Sequence, residues 1–201
     1  NGWEMVNSPP VKFQRPKSMR PLPVPLHNGS VDDLRRFLNL GSGADWVLIR
    51  AWLVQSVSAT GPYPIVTLYG EAGSAKSTAA RILKSCVDPT IAPLRSQPRN
   101  ELDLLIAALN SWTIALDNLS FLSTWLSDAL CRLATGGGLG TRQLYTNAEE
   151  SLFDVQRPVI LNGITSLAER GDLQDRCIVI TLPIIDEDAR RIEDDFWDDF
   201  N

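Results

Sequence analysis

Histidine is almost missing from this chain of 201 residues: its one copy, His27, sits in a proline-rich segment, so an imidazole relay or histidine-held metal is not the chemistry to look for. Cysteine is scarce as well. Cys86, Cys131 and Cys177 are odd in number, lie in apolar settings and lack C-x-x-C spacing. That favours reduced core thiols over disulfides or zinc, and with them a cytoplasmic setting. No apolar run approaches the ~20 residues of a membrane span, and no apolar secretory stretch follows a basic start, so no membrane partner is expected. Charge of one sign is lacking outside the tail. Of the net charge of −5, residues 186–200 supply eight acids against two arginines, which leaves 17 basic and 16 acidic side chains elsewhere. A near-neutral body neither advertises nucleic-acid binding nor excludes it, because a ring of subunits can concentrate a few cations in a central pore.

What is present reads as one domain with a sizeable core, 44% of residues being hydrophobic. Residues 1–30 hold six prolines and two short strand candidates, 3–6 and 11–14, and read as an extended arm packed on the body or a neighbour. Ser30 is a candidate N-cap for a helix over 31–40, and Asp45 starts a second helix to about Ser58. The pattern then alternates: strand 64–69, helix 75–87, helix 101–109, strand 112–116, helix 121–134, a hairpin or irregular region 136–156, strand 158–162, a short helix 165–169, strand 177–182 and an acidic helix from about 186. Near-continuous apolar strands separated by helices predict an α/β fold with a parallel sheet covered on both faces.

Gly70-Glu71-Ala72-Gly73-Ser74-Ala75-Lys76-Ser77 nearly completes the phosphate-cradling pattern G-x-x-x-x-G-K-[ST], with Ala75 where the second glycine belongs. It lies between a predicted strand and a predicted helix, as the motif requires. In such a loop backbone N–H groups face an anion, the helix start through Thr78 adds its positive dipole end, Lys76 neutralises the outer phosphates and Ser77 ligates magnesium. An ordinary glycine-rich turn with a fortuitous Lys-Ser pair is the plain alternative. The apolar strand ending at Asp117, 41 residues after Lys76, suits a carboxylate that holds magnesium through water. Its neighbour Asn118 stands where many ATPases carry a glutamate; an amide cannot accept a proton, though it can orient a water. Asn162 ends the next apolar strand and, if the strands are parallel, shares an edge with Lys76 and Asp117. Between them a glycine run leads into Arg142 and Tyr145, a cation and an aromatic suited to a nucleic-acid backbone and base. Arg170 and Arg176 flank the mouth of the last strand, where a guanidinium can reach a phosphate bound by the next subunit or simply pair with Asp172 or Asp175.

Together these motifs resemble the AAA+ core of ring helicases, in the lineage of MCM helicases and superfamily 3 phage and plasmid primase-helicases, over residues 44–200. MCM-type loops have the form G-D-P-G-x-A-K-S, which makes Ala75 part of the likeness. The resemblance implies a parallel five-stranded P-loop sheet flanked by helices, with an arm and lead-in helix at 1–43, an ATPase core at 44–185 and the start of a truncated helical lid at 186–201. It implies ATP and Mg2+ as cofactors, Asp117 as the Walker B acid, Asn162 as sensor 1, Arg176 with Arg170 as the arginine finger, and a pore hairpin carrying Arg142 and Tyr145. A homo-oligomeric ring, a hexamer by analogy, acting on single-stranded or forked DNA follows from the same likeness. The activity so implied is that of an ATP-driven DNA helicase or translocase within a longer replication protein. Asn118 supports a different reading, a nucleotide-gated assembly or switch protein that hydrolyses little. A small-molecule kinase is a third, without an obvious acceptor site.

Overall fold

The run Ile65–Tyr69 forms β1, and its alternating side chains go to two different cores. A computed structural model describes residues 6, 10, 15–24, 28–137, 139–142, 150–153, 155–165 and 167–200. β1 pairs in parallel with β5 (Val159–Gly163) on one side and β6 (Cys177–Thr181) on the other, and β5 pairs in parallel with β2 (Ile114–Leu119). The order is therefore β2-β5-β1-β6. A parallel sheet must be covered on both faces. Ile65, Ile114, Leu116 and Leu161 pack with Leu104 and Leu105 of α3 (Glu101–Asn110) and Leu126 and Leu130 of α4 (Thr124–Thr135). Val66, Leu68, Ile160 and Ile180 pack instead with Ile49 and Trp52 of α1 (Gly43–Ser56) and Ile82 and Leu83 of α2 (Lys76–Val87).

The expected five strands are four among the described residues. Beside β2, on its open side, the chain offers one residue of ladder: Arg95 N–H donates to Ala115 O at 2.9 Å, and Asp117 N–H to Arg95 O at 2.8 Å. Pro93 and Pro98, which have no N–H to donate, bracket that bridge and keep it from growing. The expected short helix at 165–169 is also displaced. The Tyr69 hydroxyl accepts from the N–H groups of Leu167 and Ala168 at 2.7 and 3.0 Å, so those amides serve a tertiary contact, and the helical turn α5 forms later, at Gly171–Gln174.

The lead-in segment is a 3-10 helix, Val31–Phe37, shorter than the expected 31–40, with Ser30 in a capping box with Asp33. The acidic end divides into a 3-10 turn, Glu187–Ala189, and α6 (Glu193–Phe200). α6 packs Phe196 and Phe200 edge-on against Phe37. The arm touches the body through Arg20 N–H to Pro89 O at 2.8 Å and Ile91 N–H to Ser18 O at 2.9 Å. Most of its strand candidates, like His27, fall outside the described residues. The hairpin expected within 136–156 is present as β3 (Leu139–Arg142) antiparallel to β4 (Glu150–Phe153), with Arg142 opposite Glu150.

Candidate functional site

The loop after β1 passes over the carboxyl edge of the sheet and is tight at both glycines. A Cβ on Gly70 would stand 2.5 Å from Ser74 Oγ and 2.7 Å from Leu182 O, and Gly73 has φ +83°, where a side chain is strained. Ser74 is buried and closes the turn, its N–H and Oγ both donating to Glu71 O at 3.3 and 2.9 Å. Ala75 is left-handed at φ 62°, ψ 32°. The departure from the glycine pattern therefore changes the residue and keeps the backbone, at a strain of roughly 1–2 kcal/mol. α2 begins at Lys76, one residue later than expected, and its N-terminus has no side-chain cap, whereas Ser42 caps α1 and Asn100 caps α3. Its first N–H donors are left for a ligand or water.

Three further elements bring the polar groups to this edge. Lys76 Nζ folds over the loop onto Glu71 O at 2.7 Å, with Ser74 Oγ at 3.4 Å. Partial burial lowers the Lys76 pKa, and the Asp117 charge opposes that shift. Ser77 Oγ donates to Asp117 Oδ1 at 2.7 Å, and Asn162 Nδ2 donates to the same oxygen at 2.5 Å. Asn162 Oδ1 in turn accepts from the Asn118 N–H at 2.7 Å. Asn118 is left-handed at φ 55°, a conformation asparagine tolerates better than most residues, and the β2–β5 register shifts between Leu116 and Leu119. The irregularity thus falls at Asp117 and Asn118, and Asn162 pins its two sides through one carboxamide.

The two arginines lie away from this cluster, and Arg176 is at the opposite, amino edge: it precedes Cys177 at the start of β6, and its carbonyl accepts the Ile65 N–H at 2.9 Å. Arg170 is ion-paired within the chain, with Asp128 at 3.2 Å and Asp172 at 3.6 Å. Arg176 Nη1 donates to Asp172 O, while its buried Nε has no partner. Arg142 is placed only by the hairpin backbone, and Tyr145 lies outside the described residues.

Sequence reasoning missed Tyr69, whose hydroxyl holds the stretch leading to Arg170, and Asn39. Asn39 Nδ2 donates to Ser74 O at 3.1 Å and Pro183 O at 2.6 Å, tying the lead-in segment to the loop and to the end of β6. No local pattern marks either residue, since their partners are distant in sequence.

A family model described as actinomycete integrative conjugative element replication protein matches residues 31–201. The chain belongs to that family. No curated protein matches this replication protein. Among solved structures, JCV helicase is similar at 14% identity and TM-score 0.47, over 71% of this chain and 41% of that one. Its inhibitor-bound form is similar at 13% identity and TM-score 0.47, over 80% and 46%. The ADP complex of NtrX from Brucella abortus is similar at 16% identity and TM-score 0.39, over 76% and 40%. The replication protein chain thus spans less than half the length of each of these structures.

Proposed function

We propose that this chain is the nucleotide-binding module of an AAA+ motor that hydrolyses ATP to move along DNA during replication of a conjugative element. The observation that carries the reading is the convergence of Ser77 and Asn162 on one oxygen of Asp117 beside the uncapped start of α2. One hydroxyl and one carboxylate suit Mg2+, which keeps waters and substrate phosphates among its ligands and needs no protein cage. Among the described residues no group of three His, Cys, Asp or Glu side chains could hold a metal by itself. ATP would sit on residues 70–78, with Ser77 and Asp117 toward the Mg2+. Bound Mg2+ would neutralise charge developing on the phosphate oxygens.

The chain's own groups then have distinct tasks. Lys76 exchanges the Glu71 carbonyl for phosphate oxygens. Asn162 holds Asp117 in place and reports on the outer phosphate. Arg176 and Arg170 act on nucleotide held by a neighbouring copy in a ring, where the Asp128 and Asp172 contacts orient Arg170. Arg142 and Tyr145, on the hairpin segment, meet DNA. This reading sets the module to work in the cytoplasm, where it meets its DNA; separately, no helix among the described residues is long and apolar enough to cross a membrane.

A second reading, a nucleotide-gated switch, is favoured by Asn118. Its backbone N–H is committed to Asn162, and its amide cannot take a proton from water. One assay separates the two: ATP hydrolysis with and without single-stranded DNA at high protein concentration, with Lys76→Ala as the blank. The motor gives turnover that rises with DNA and is absent from the blank. Stoichiometric ATP binding without turnover leaves the switch, and no binding by the parent chain removes both.

A further inference from the structure

The phosphate loop has a second cation against it, from a part of the chain the motif does not include. After β6 the backbone returns to the loop, where the Ile185 N–H donates to Gly73 O at 3.2 Å. The 3-10 turn Glu187–Ala189 reverses the chain, and the Arg190 N–H donates to Glu187 O at 3.3 Å. The Arg190 side chain folds back, its Nε donating to Ile185 O at 3.4 Å. Its guanidinium comes to rest beside the loop: a Cβ added to Gly73 would stand 2.8 Å from Nη2 and 3.6 Å from Cζ.

Arg190 differs from the other arginines around it. Arg191 pairs with Asp199 at 3.0 Å and covers Phe196, Arg36 pairs with Asp199 at 3.5 Å, and Arg81 sits 3.8 Å from Glu193. Among the described residues no carboxylate lies within ion-pair distance of Arg190, although Asp186, Glu187 and Asp188 directly precede it. Two cations, Lys76 and Arg190, therefore flank a loop that also offers the positive end of an uncapped helix. Nothing negative among the described residues answers Arg190. A planar guanidinium presents its donors in a fork that matches phosphate oxygens, and such charge-assisted bonds are the strong ones.

We propose that Arg190 is a phosphate ligand in cis, contacting the polyphosphate chain of a nucleotide bound by the loop of its own subunit. The proposal rests on the reading of the loop as a nucleoside triphosphate site. Because only two residues separate Arg190 from α6, nucleotide binding would also fix the joint between the loop and that helix.

The test is calorimetric titration of the full chain with Mg-ATP, alongside Arg190→Ala, Arg190→Lys and Lys76→Ala, plus the thermal midpoint of each ligand-free variant. Arg190→Ala should weaken ATP binding by about tenfold to a hundredfold while leaving the ligand-free midpoint where it was. Arg190→Lys should recover part of the loss. Unchanged affinity in Arg190→Ala, with Lys76→Ala still impaired, overturns the proposal and spares the reading of the loop. Affinity lost together with a lowered ligand-free midpoint overturns it too, since Arg190 would then be a strut for residues 183–190. A parent chain that binds no ATP ends the reading of the loop, and this inference with it.

Discussion

The amino edge of the sheet closes a lysine and an aspartate on each other and on the backbone, whereas the carboxyl edge holds such groups ready, and α2 touches both. Each end of that helix brings a lysine toward an aspartate. At the amino edge Lys84 Nζ donates to Asp88 Oδ2 and Thr113 O, both at 2.7 Å, and Asp88 Oδ2 also accepts the Thr113 N–H at 2.9 Å. The two charged side chains are 1% and 2% exposed. Burial pushes the Lys84 pKa down and Asp88 pushes it back. Around them Trp52 Nε1 donates to Pro64 O and Trp112 Nε1 to Ser56 O, at 2.9 and 2.7 Å. At the carboxyl edge Lys76 rests on one carbonyl, Asp117 has only neutral donors, and the first turn of α2 has no cap. The same residue types form a clamp where every partner is internal and a site where the helix start and strand end are left open.

Breaking the clamp should give the largest effect. Lys84→Met leaves Asp88 as a buried charge without its counter-ion and should cost about 3–5 kcal/mol in denaturant unfolding. Adding Asp88→Leu should restore only part of it, since the unpaired charge is gone but the Thr113 N–H and C=O are left without their partners. Lys76→Ala, at the open edge, should stay within about 0.5 kcal/mol of the parent. Equal losses at both ends would erase the distinction.

The sequence was most legible where the physics is local. Apolar runs bounded by turn residues marked all four strands of the main sheet, and the spacing from Gly70 to Ser77 marked the loop. Asp117 and Asn162 were legible because parallel strands bring their ends to one edge. What failed was decided across the chain. The missing fifth strand depends on two prolines that stop a ladder already begun at Arg95. The displaced helix depends on a hydroxyl 98 residues from the Leu167 amide it captures. Arg190 was read only as one of two basic residues in an acidic tail, because its approach to Gly73 follows from a chain reversal no periodicity announces.

A middle-sized effect should come from Tyr69→Phe, which sharpens the view that the carboxyl edge is preorganised by uncharged donors and acceptors. Loss of the hydroxyl leaves the Leu167 and Ala168 N–H groups without their acceptor and should cost about 1–3 kcal/mol. Amide hydrogen exchange should quicken at both residues while the Thr113 amide, at the other edge, keeps its protection. Unchanged exchange at Leu167 would mean that this stretch, and the arginines after it, are held by something else.

The smallest effect is a pH dependence at the closed edge. Cys177 opens β6 opposite Ile65, and burial, with a lesser contribution from Cys131, pushes its thiol up to about 12 against an opposing hydrogen bond with Thr67. An unfolded cysteine ionises near about 8.5. Between those values the unfolded chain has lost a proton that the fold keeps, so the unfolded state binds fewer protons and stability falls as pH rises. The contribution is therefore intact below about 8.5 and drains away through the alkaline range. Unfolding curves at neutral and alkaline pH should show a larger loss for the parent than for Cys177→Ala, in which that proton is absent. Cys86 and Cys131, whose thiols are also raised, remain in both chains and cancel from the comparison. If the two chains lost stability equally, water would reach Cys177 in the fold, and the seal on the amino edge would end at Lys84 rather than extend along the strand starts to β6.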